Sequence, residues 1–251
     1  MVNVISHRGA NTFAPQNTLP AFQKSFSISV DGIETDIHVT KDGVPVVCHN
    51  YTIDETSTGV GEICDLTLEE LRSYDFGSYF DKEFEGTKIP TLDELLDLCA
   101  TANLTVLNIE LKSPRNKDSD IVKKTIDAVK AHGLFDVLLI SSFDSELLIE
   151  AKQIDPACKT AYLYAPTRLK SIHKWFNAVK FAKKINCDAL HPHYSFVTKH
   201  YVKASHKAGI QVNPWTVNSP EAMLKMISCG VDGLITDRPD IANSLLGKKT
   251  K

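Results

Sequence analysis

Residues 32–40, GIETDIHVT, alternate apolar and polar side chains in the way that is typical of a β-strand. Glu34 and Asp36 are two positions apart, so they share one face of this strand, opposite the face that carries Ile33 and Ile37. Seven further short runs rich in apolar and β-branched residues recur along the chain, and stretches of helical periodicity separate them. These runs are 2–6, 105–111, 137–143, 159–165, 188–194, 210–217 and 232–237.

Eight strands that alternate with helices in 251 residues are what a (β/α)8 TIM barrel requires. The structural alternative is a doubly wound open sheet, but no GxGxxG stretch follows the first strand and the sequence contains no P-loop. Capping signals mark the starts of several helices, among them the capping boxes at 67–70 and 91–94 and the Ser-Pro start at 219–220. We therefore predict an α/β protein in which residues 1–251 form a single TIM-barrel domain.

The segment at approximately 41–90 does not show the plain helix that a barrel places after its second strand. Residues 41–50, KDGVPVVCHN, are typical of a β-hairpin that turns at Asp42-Gly43, and residues 76–90 have the composition of a loop. Because no linker flanks the segment, we predict an insertion within the barrel domain and not a second domain.

The composition is that of an ordinary globular protein, with 43% hydrophobic and 24% charged residues and a net charge of −3. This balance gives no broad basic surface for nucleic acid, and no apolar stretch is long enough for stable membrane insertion. The first residues lack the pattern of a signal peptide, so we expect a cytoplasmic protein. The six cysteines are scattered without a CxxC pair, which favours reduced thiols over a disulfide framework or a zinc site.

Acidic side chains are concentrated where the second and third strands of the predicted barrel end. Active sites of TIM barrels lie at the carboxyl ends of the strands, which is where Glu34, Asp36 and Glu110 fall. Three clustered carboxylates repel one another unless a cation lies among them or they take up protons. Oxygen ligands suit Mg²⁺ or Ca²⁺ better than zinc, so a divalent metal site is predicted; structural ion pairs are the alternative.

Basic side chains follow the same strands. Arg8 comes after the first strand and Lys112 lies two positions beyond Glu110. Together with a metal they would form a site of mixed charge that fits a phosphate group. His7 and His49 are the two residues near this mouth that titrate close to neutrality, as proton transfer requires.

Other histidines and a cysteine offer alternative chemistry. A zinc site could combine His191 and His193 with His200 or His206, but residues 198–208 read as a helix away from the strand ends. His38 shares the face of Glu34 and Asp36, and we give it no role. Cys48 is next to His49 in a strand, so their side chains point to opposite faces and a thiol nucleophile is not expected.

Taken together, these stretches resemble the glycerophosphodiester phosphodiesterase family. The resemblance covers essentially the whole chain and implies a TIM barrel with a small insertion after strand two. It also implies metal-dependent cleavage of a glycerophosphodiester, a small-molecule substrate of lipid and glycerol metabolism, into glycerol 3-phosphate and an alcohol. The stretches that carry it are HRG (7–9), ExD (34–36), TKDGVPVVCH (40–49), IPTLDELL (89–96), ELK (110–112), SSF (141–143), WTVN (215–218) and TDRPD (236–240).

The resemblance also implies roles for individual residues. One histidine would act as general base on water or on the glycerol 2-hydroxyl, and the other would protonate the leaving alcohol; our working assignment makes His7 the base. A core position for Phe143 is the alternative to its role in the pocket. The implied roles are proton transfer for His7 and His49, Mg²⁺ or Ca²⁺ ligation for Glu34, Asp36 and Glu110, phosphate binding for Arg8 and Lys112, and lining of the substrate pocket for Trp215 and Phe143.

Two positions depart from the family pattern, since Gln16 and Asn50 stand where an acidic residue is usual. Loss of two carboxylates leads us to expect weaker metal affinity, altered selectivity or a less basic His49. Two alternatives stay open. One is a related barrel phosphodiesterase that acts on lysophospholipids or phosphoinositides, and the other is a non-catalytic protein that binds phosphodiesters.

Overall fold

A computed structural model describes residues 2–115, 119–165 and 178–248. The described residues form nine strands and nine α-helices. The strands are β1 (Asn3–His7), β2 (Gly32–Val39), β3 (Pro45–Val47), β4 (Val106–Leu111), β5 (Leu138–Ser142), β6 (Lys159–Tyr164), β7 (Ala189–Pro192), β8 (Gln211–Val212) and β9 (Gly233–Thr236). The helices are α1 (Leu19–Ser27), α2 (Leu68–Ser73), α3 (Leu92–Ala100), α4 (Ile121–Ala131), α5 (Ser145–Ile154), α6 (Ala178–Lys184), α7 (Lys199–Lys207), α8 (Pro220–Cys229) and α9 (Pro239–Leu245).

Eight of the strands are parallel and follow the order β8-β7-β6-β5-β4-β2-β1-β9 around a nearly closed barrel. The two end strands are joined by backbone hydrogen bonds, in which Asp232 N donates to Val212 O at 3.0 Å and Val217 N donates to Ile235 O at 2.9 Å. Helices connect the strands, as the alternating sequence pattern requires. The predicted (β/α)8 TIM barrel is therefore confirmed.

The seventh barrel strand, β8, is shorter than predicted. The sequence pattern extends over 210–217, whereas β8 covers only Gln211–Val212. Pro214 has no amide hydrogen to donate to a neighbouring strand, so the regular ladder stops before it. Beyond this point, single hydrogen bonds continue the pairing with β7, such as that from Trp215 N to Pro192 O at 3.1 Å.

The inserted segment packs onto the barrel through a hairpin. β3 pairs antiparallel with β2, and Gly43 adopts a φ of +85° in the turn between them, which confirms the predicted hairpin. The capping boxes at Thr67 and Thr91 begin α2 and α3 as predicted. The insertion buries its own apolar cluster, which consists of Val46, Cys48, Ile53, Ile63, Leu71, Phe76 and Ile89. This cluster gives the residues after β3 a fixed support.

The six cysteines are free in the structure. Within the described ranges, no helix has the length and apolar character that crossing a membrane requires.

Gly9 lets the loop after β1 pack closely against α1. Its φ is +79°, and a Cβ added there would lie 2.7 Å from the Cβ and 2.8 Å from the carbonyl carbon of Ala21. We expect Gly9→Ala to lower the free energy of unfolding by about 2–4 kcal/mol, from left-handed backbone strain and overpacking together. Gly133→Ala is the matched control because Gly133 has a φ of +69° and open space around it. It should cost only about 1–2 kcal/mol. Urea unfolding measures both, and equal losses would contradict the packing argument.

Candidate active site

The carboxyl ends of the parallel strands surround a pocket of about 500 Å³. Of the residues predicted for the site, Asp36 and Lys112 do not line this pocket but contact residues that do. The pocket has a polar side and an apolar side. Its lining residues are His7, Arg8, Glu34, His49, Asn108, Glu110, Phe143, Leu163, Trp215 and Ile235.

A cluster of three buried carboxylates lies at the polar side of the pocket, which Glu34 and Glu110 line directly. Asp36 on β2 stands opposite Glu110 on β4, and each of Glu34, Asp36 and Glu110 offers an oxygen within 4.8 Å of the others. Burial and the charges of Asp36 and Glu110 raise the pKa of Glu34 well above its ordinary value. Burial and Asp36 likewise raise the pKa of Glu110 to about 7, against the effect of Lys112. Burial and the mutual repulsion of the negative charges therefore favour protonation of Glu34 and Glu110.

Lys112 and Arg8 neutralise part of this charge. Lys112 Nζ lies 2.7 Å from Asp36 Oδ1 and also contacts Glu110, while Arg8 Nε lies 3.6 Å from Asp36 Oδ2. Burial acts to raise the pKa of Asp36, but Lys112 and Arg8 outweigh it and hold this pKa below its ordinary value. Burial acts to lower the pKa of Lys112, whereas Asp36 and Glu110 raise it, with a net upward shift. Lys112 is therefore held in its charged form, and both basic side chains contact the carboxylate cluster.

The donor set fits a hard divalent cation. Its three carboxylates supply only oxygen ligands, which Mg²⁺ and Ca²⁺ prefer. Asn108, opposite Glu34 on β4, adds a buried amide oxygen to which no described residue donates a hydrogen bond. A divalent cation among Glu34, Asp36 and Glu110 would reverse the raised pKa values because it stabilises the ionised carboxylates. The residues present thus suit such an ion on chemical grounds.

His7 forms a dyad with Asp237, a residue that our sequence reasoning did not assign to the site. His7 Nδ1 donates to Asp237 Oδ1 at 2.6 Å, and His7 Nε2 lies 4.0 Å from Glu34 Oε2. Burial acts to raise the pKa of Asp237, but the bond from His7 and those from Asn11 and Asn218 lower it to about 2. The sequence did contain a signal that could have assigned Asp237 to the site, because this residue directly follows β9 and belongs to TDRPD.

His49 has an uncharged partner instead. Its Nδ1 donates to Asn50 Oδ1 at 2.6 Å, and Asn50 Nδ2 in turn donates to Glu55 Oε2 at 2.8 Å, which fixes the orientation of the amide. Burial lowers the pKa of His49 to about 4, although Asp36 acts in the opposite direction. With Nδ1 occupied in this bond, Nε2 is the ring nitrogen left to exchange protons.

The two departures from the family pattern lie next to different groups. Gln16 Oε1 accepts a hydrogen bond from Arg8 Nη1 at 2.7 Å, so this residue contacts the arginine and not the carboxylate cluster. Asn17, its neighbour, donates from Nδ2 to Asp36 Oδ2 at 2.9 Å. Asn50 contacts His49, as described above. Because Gln16 stands where an acidic residue is usual, the missing negative charge affects Arg8 before the other groups of the site.

The apolar side of the pocket is built around two aromatic rings. Phe143 and Trp215 meet edge to face, with ring centroids 5.6 Å apart and an interplanar angle of 88°. Phe143 is 48% exposed, which excludes a place in the core. Trp215 Nε1 donates to His191 O at 2.7 Å, which fixes the indole ring. This wall suits the carbon skeleton of a substrate and not its charged group.

Among the described residues, the remaining histidines belong to no group of three potential metal ligands. His191 is fully buried and its Nε2 lies 3.2 Å from Asn213 Nδ2, while His206 pairs with Asp232. Over the described ranges, the groups of three potential ligands are Glu34–Asp36–Glu110 and Glu62–Cys64–Asp65, and neither contains a histidine. The zinc alternative therefore has no geometric support.

Known proteins share both the sequence pattern and the fold. Residues 7–241 match the profile of the Glycerophosphoryl diester phosphodiesterase family. The chain is 37% identical to a glycerophosphodiester phosphodiesterase of Caldanaerobacter subterraneus, over 98% of each sequence. An Oleispira antarctica phosphodiesterase solved in complex with the product sn-glycerol-3-phosphate is similar with a TM-score of 0.87 and 29% identity, over 98% of this chain and 97% of that one. A glycerophosphodiester phosphodiesterase from Agrobacterium tumefaciens gives a TM-score of 0.82 at 26% identity, over 97% of this chain and 100% of that one.

Proposed function

Because the chain belongs to the glycerophosphoryl diester phosphodiesterase family, we propose that it hydrolyses glycerophosphodiesters to glycerol 3-phosphate and an alcohol, with a divalent metal and a pair of histidines. One observation carries this proposal: Glu34 and Glu110 of a buried carboxylate cluster, Arg8 and two histidines line one pocket whose opposite wall is apolar, and Lys112 contacts the same cluster. The product complex of the Oleispira antarctica relative supports the same substrate class.

Phosphate binding falls to Arg8 and Lys112. Both are held by Asp36 beside the carboxylate cluster, and Arg8 also lines the pocket that a phosphodiester would fill. Glu34, Asp36 and Glu110 would hold Mg²⁺ or Ca²⁺, which supplies Lewis-acid stabilisation of the negative charge on phosphate oxygens. The fork of Arg8 and the point charge of Lys112 add fixed positive charge that needs no rearrangement during the reaction.

Proton transfer falls to His7 and His49. Asp237 compensates the positive charge that His7 acquires when it takes a proton from the attacking hydroxyl, in the same way that the aspartate of a Ser-His-Asp triad acts. His49 then donates to the leaving alkoxide. Its lowered pKa makes the protonated ring a strong acid, and the negative charge of a bound phosphate favours that protonated form.

The proposal is tested by release of glycerol 3-phosphate from a panel of glycerophosphodiesters with choline, ethanolamine, glycerol and inositol head groups. Purified protein is stripped with EDTA and then supplied with Mg²⁺ or Ca²⁺. We expect turnover in the presence of at least one of these ions and a loss of at least about 100-fold after chelation, since metal stabilisation is worth several kcal/mol. Full turnover in excess EDTA contradicts the proposed need for a metal. If no substrate is turned over, the proposed enzymatic activity is contradicted and a non-catalytic binding protein is favoured.

A lysophospholipid is the second candidate substrate, because several large aromatic side chains are exposed. Phe13, Tyr79 and Phe80 are about two-fifths exposed, and Phe143 at the pocket is more so. Tyr79 also lies close to Gln16, which accepts a hydrogen bond from Arg8. Turnover of lysophosphatidylcholine above that of glycerophosphocholine would favour this reading.

A further inference from the structure

His38 is a buried polar residue for which the proposed mechanism has no task. It lies on β2 two positions beyond Asp36, is 6% exposed, and is not among the described residues that line the substrate pocket. Its Nε2 donates a hydrogen bond to the backbone carbonyl oxygen of His49 at 3.2 Å. A side chain of β2 thus contacts the main chain of a proposed acid–base residue.

The backbone around His49 has few other supports. Before it, Cys48 N donates to Asp36 O at 3.0 Å, and after it, Ile63 N donates to Tyr51 O at 2.9 Å. Between these two points, neither His49 nor Asn50 makes a backbone–backbone hydrogen bond with any described residue. The bond from His38 therefore fixes the part of the loop that the backbone network leaves free.

Tyr51 connects the same place to β4. Its ring meets that of His38 edge to face, with centroids 4.9 Å apart. Its hydroxyl donates to Ser113 O at 3.1 Å, one residue beyond Lys112, and the Arg115 guanidinium lies 4.3 Å from the ring centroid. His38 and Tyr51 together join the loop of His49 to the ends of the two strands that carry the carboxylates.

We infer that His38 is a positioning residue, whose hydrogen bond to the carbonyl of His49 holds that imidazole against the pocket. This inference rests on the proposed function, because it gives His38 an effect on turnover only through His49. It does not touch the substrate. An acid–base group displaced by about 1 Å costs on the order of 100-fold in rate, so a single backbone anchor is enough to matter.

Replacing His38 with each of two amide residues tests whether the hydrogen bond to His49 matters or only a polar side chain at this position. The Nε2 of a glutamine reaches about as far as the Nε2 of a histidine, whereas an asparagine amide is one methylene shorter. We expect His38→Asn to lower kcat by about 10- to 100-fold with KM changed less than about threefold. His38→Gln should keep kcat within about threefold of the wild-type value, because it retains the donor.

His132→Leu is the matched control, since His132 Nδ1 bonds to the backbone carbonyl of Ala128 at 2.8 Å on α4. It removes a similar bond outside the site and should leave kcat and KM unchanged. Equal kcat in the Gln and Asn variants, or a rise in KM without a fall in kcat, overturns the inference. The melting temperature of each variant is measured as well. A loss of kcat that only parallels the loss of melting temperature also overturns the inference. If the Asn variant does not fold, the Gln variant decides alone: a tenfold loss of its kcat is the contradicting result.

Failure of the proposed function is recognised separately, by the absence of turnover in the wild-type protein. The inference about His38 is then decided by crystal structures of the wild type and His38→Asn. A displacement of the His49 backbone by about 1 Å or more supports it, and an unchanged loop contradicts it.

Discussion

We expect His7→Ala to lower kcat for glycerophosphodiester hydrolysis by about 10²- to 10⁴-fold, the usual contribution of a positioned acid or base. The reason is that His7 Nε2 faces the pocket while Nδ1 is held by Asp237. KM should change little, because Arg8 and Lys112 remain to bind the phosphate. Steady-state kinetics with the reconstituted metal measures both constants.

Asp237→Asn tests the dyad without removing the imidazole. We expect kcat to fall by about 100-fold or more, since an amide cannot compensate the charge on the ring and can select the wrong tautomer. Asp240→Asn is the control, because Asp240 lies three residues further on and pairs with Arg238 outside the pocket. If His7→Ala retains most of its turnover, His7 does not take part in proton transfer. A normal kcat in Asp237→Asn would show that the bond between His7 and Asp237 does not contribute to catalysis.

We expect the second large effect from Glu110→Gln, which should change both the pH dependence of the free energy of unfolding and the binding of metal. A carboxyl whose pKa is raised from 4.5 to about 7 in the folded protein adds stability below pH 4.5 and loses it as the pH rises toward 7. The shift corresponds to about 3 kcal/mol. Glutamine does not titrate, so the stability of the variant relative to the wild type should rise by about that amount between pH 4.5 and pH 7.

The comparison with the wild type is needed because His38, His49 and His191 act in the opposite sense. Burial lowers their pKa values, so each contributes stability above its unfolded pKa that is lost as the pH falls. They are present in both proteins and cancel in the difference. Urea unfolding at several pH values in EDTA gives the difference directly, with Glu221→Gln on the exposed first turn of α8 as control.

Metal addition completes this test. Ca²⁺ or Mg²⁺ at about 100 times its dissociation constant should stabilise the wild type by about 2.7 kcal/mol. It should stabilise Glu110→Gln far less, because this variant lacks one of the three proposed carboxylate ligands. A pH-independent difference between the two proteins contradicts the raised pKa of Glu110. Equal stabilisation by metal contradicts Glu110 as a ligand.

The sequence predicted the places of most site residues because strand alternation and the carboxyl-end rule act locally. Glu34 and Asp36 share a face because they are two apart, and Glu110 meets Asp36 because parallel strands in register bring the same edge together. The partner of His7 could not be read in this way. Asp237 is 230 positions away from it, and only closure of the barrel brings β9 beside β1.

Other details depend on contacts that no local pattern encodes. Gln16 was expected to bear on the metal, yet its side chain turns to Arg8. Phe143 had a core position as its alternative, and its exposure depends on how the loop after β5 meets Trp215. The early end of β8 is different, because Pro214 was visible in the sequence and its missing donor was sufficient reason to shorten the strand.

The ³¹P NMR spectrum of glycerophosphocholine incubated with the metal-loaded protein shows which phosphoester bond is cleaved. The proposed reaction breaks the bond between phosphorus and the choline oxygen, so the substrate signal should be replaced by that of glycerol 3-phosphate. The same incubation with His7→Ala should leave the substrate almost unchanged. An unaltered spectrum with the wild-type protein, or the appearance of phosphocholine in place of glycerol 3-phosphate, would contradict the account.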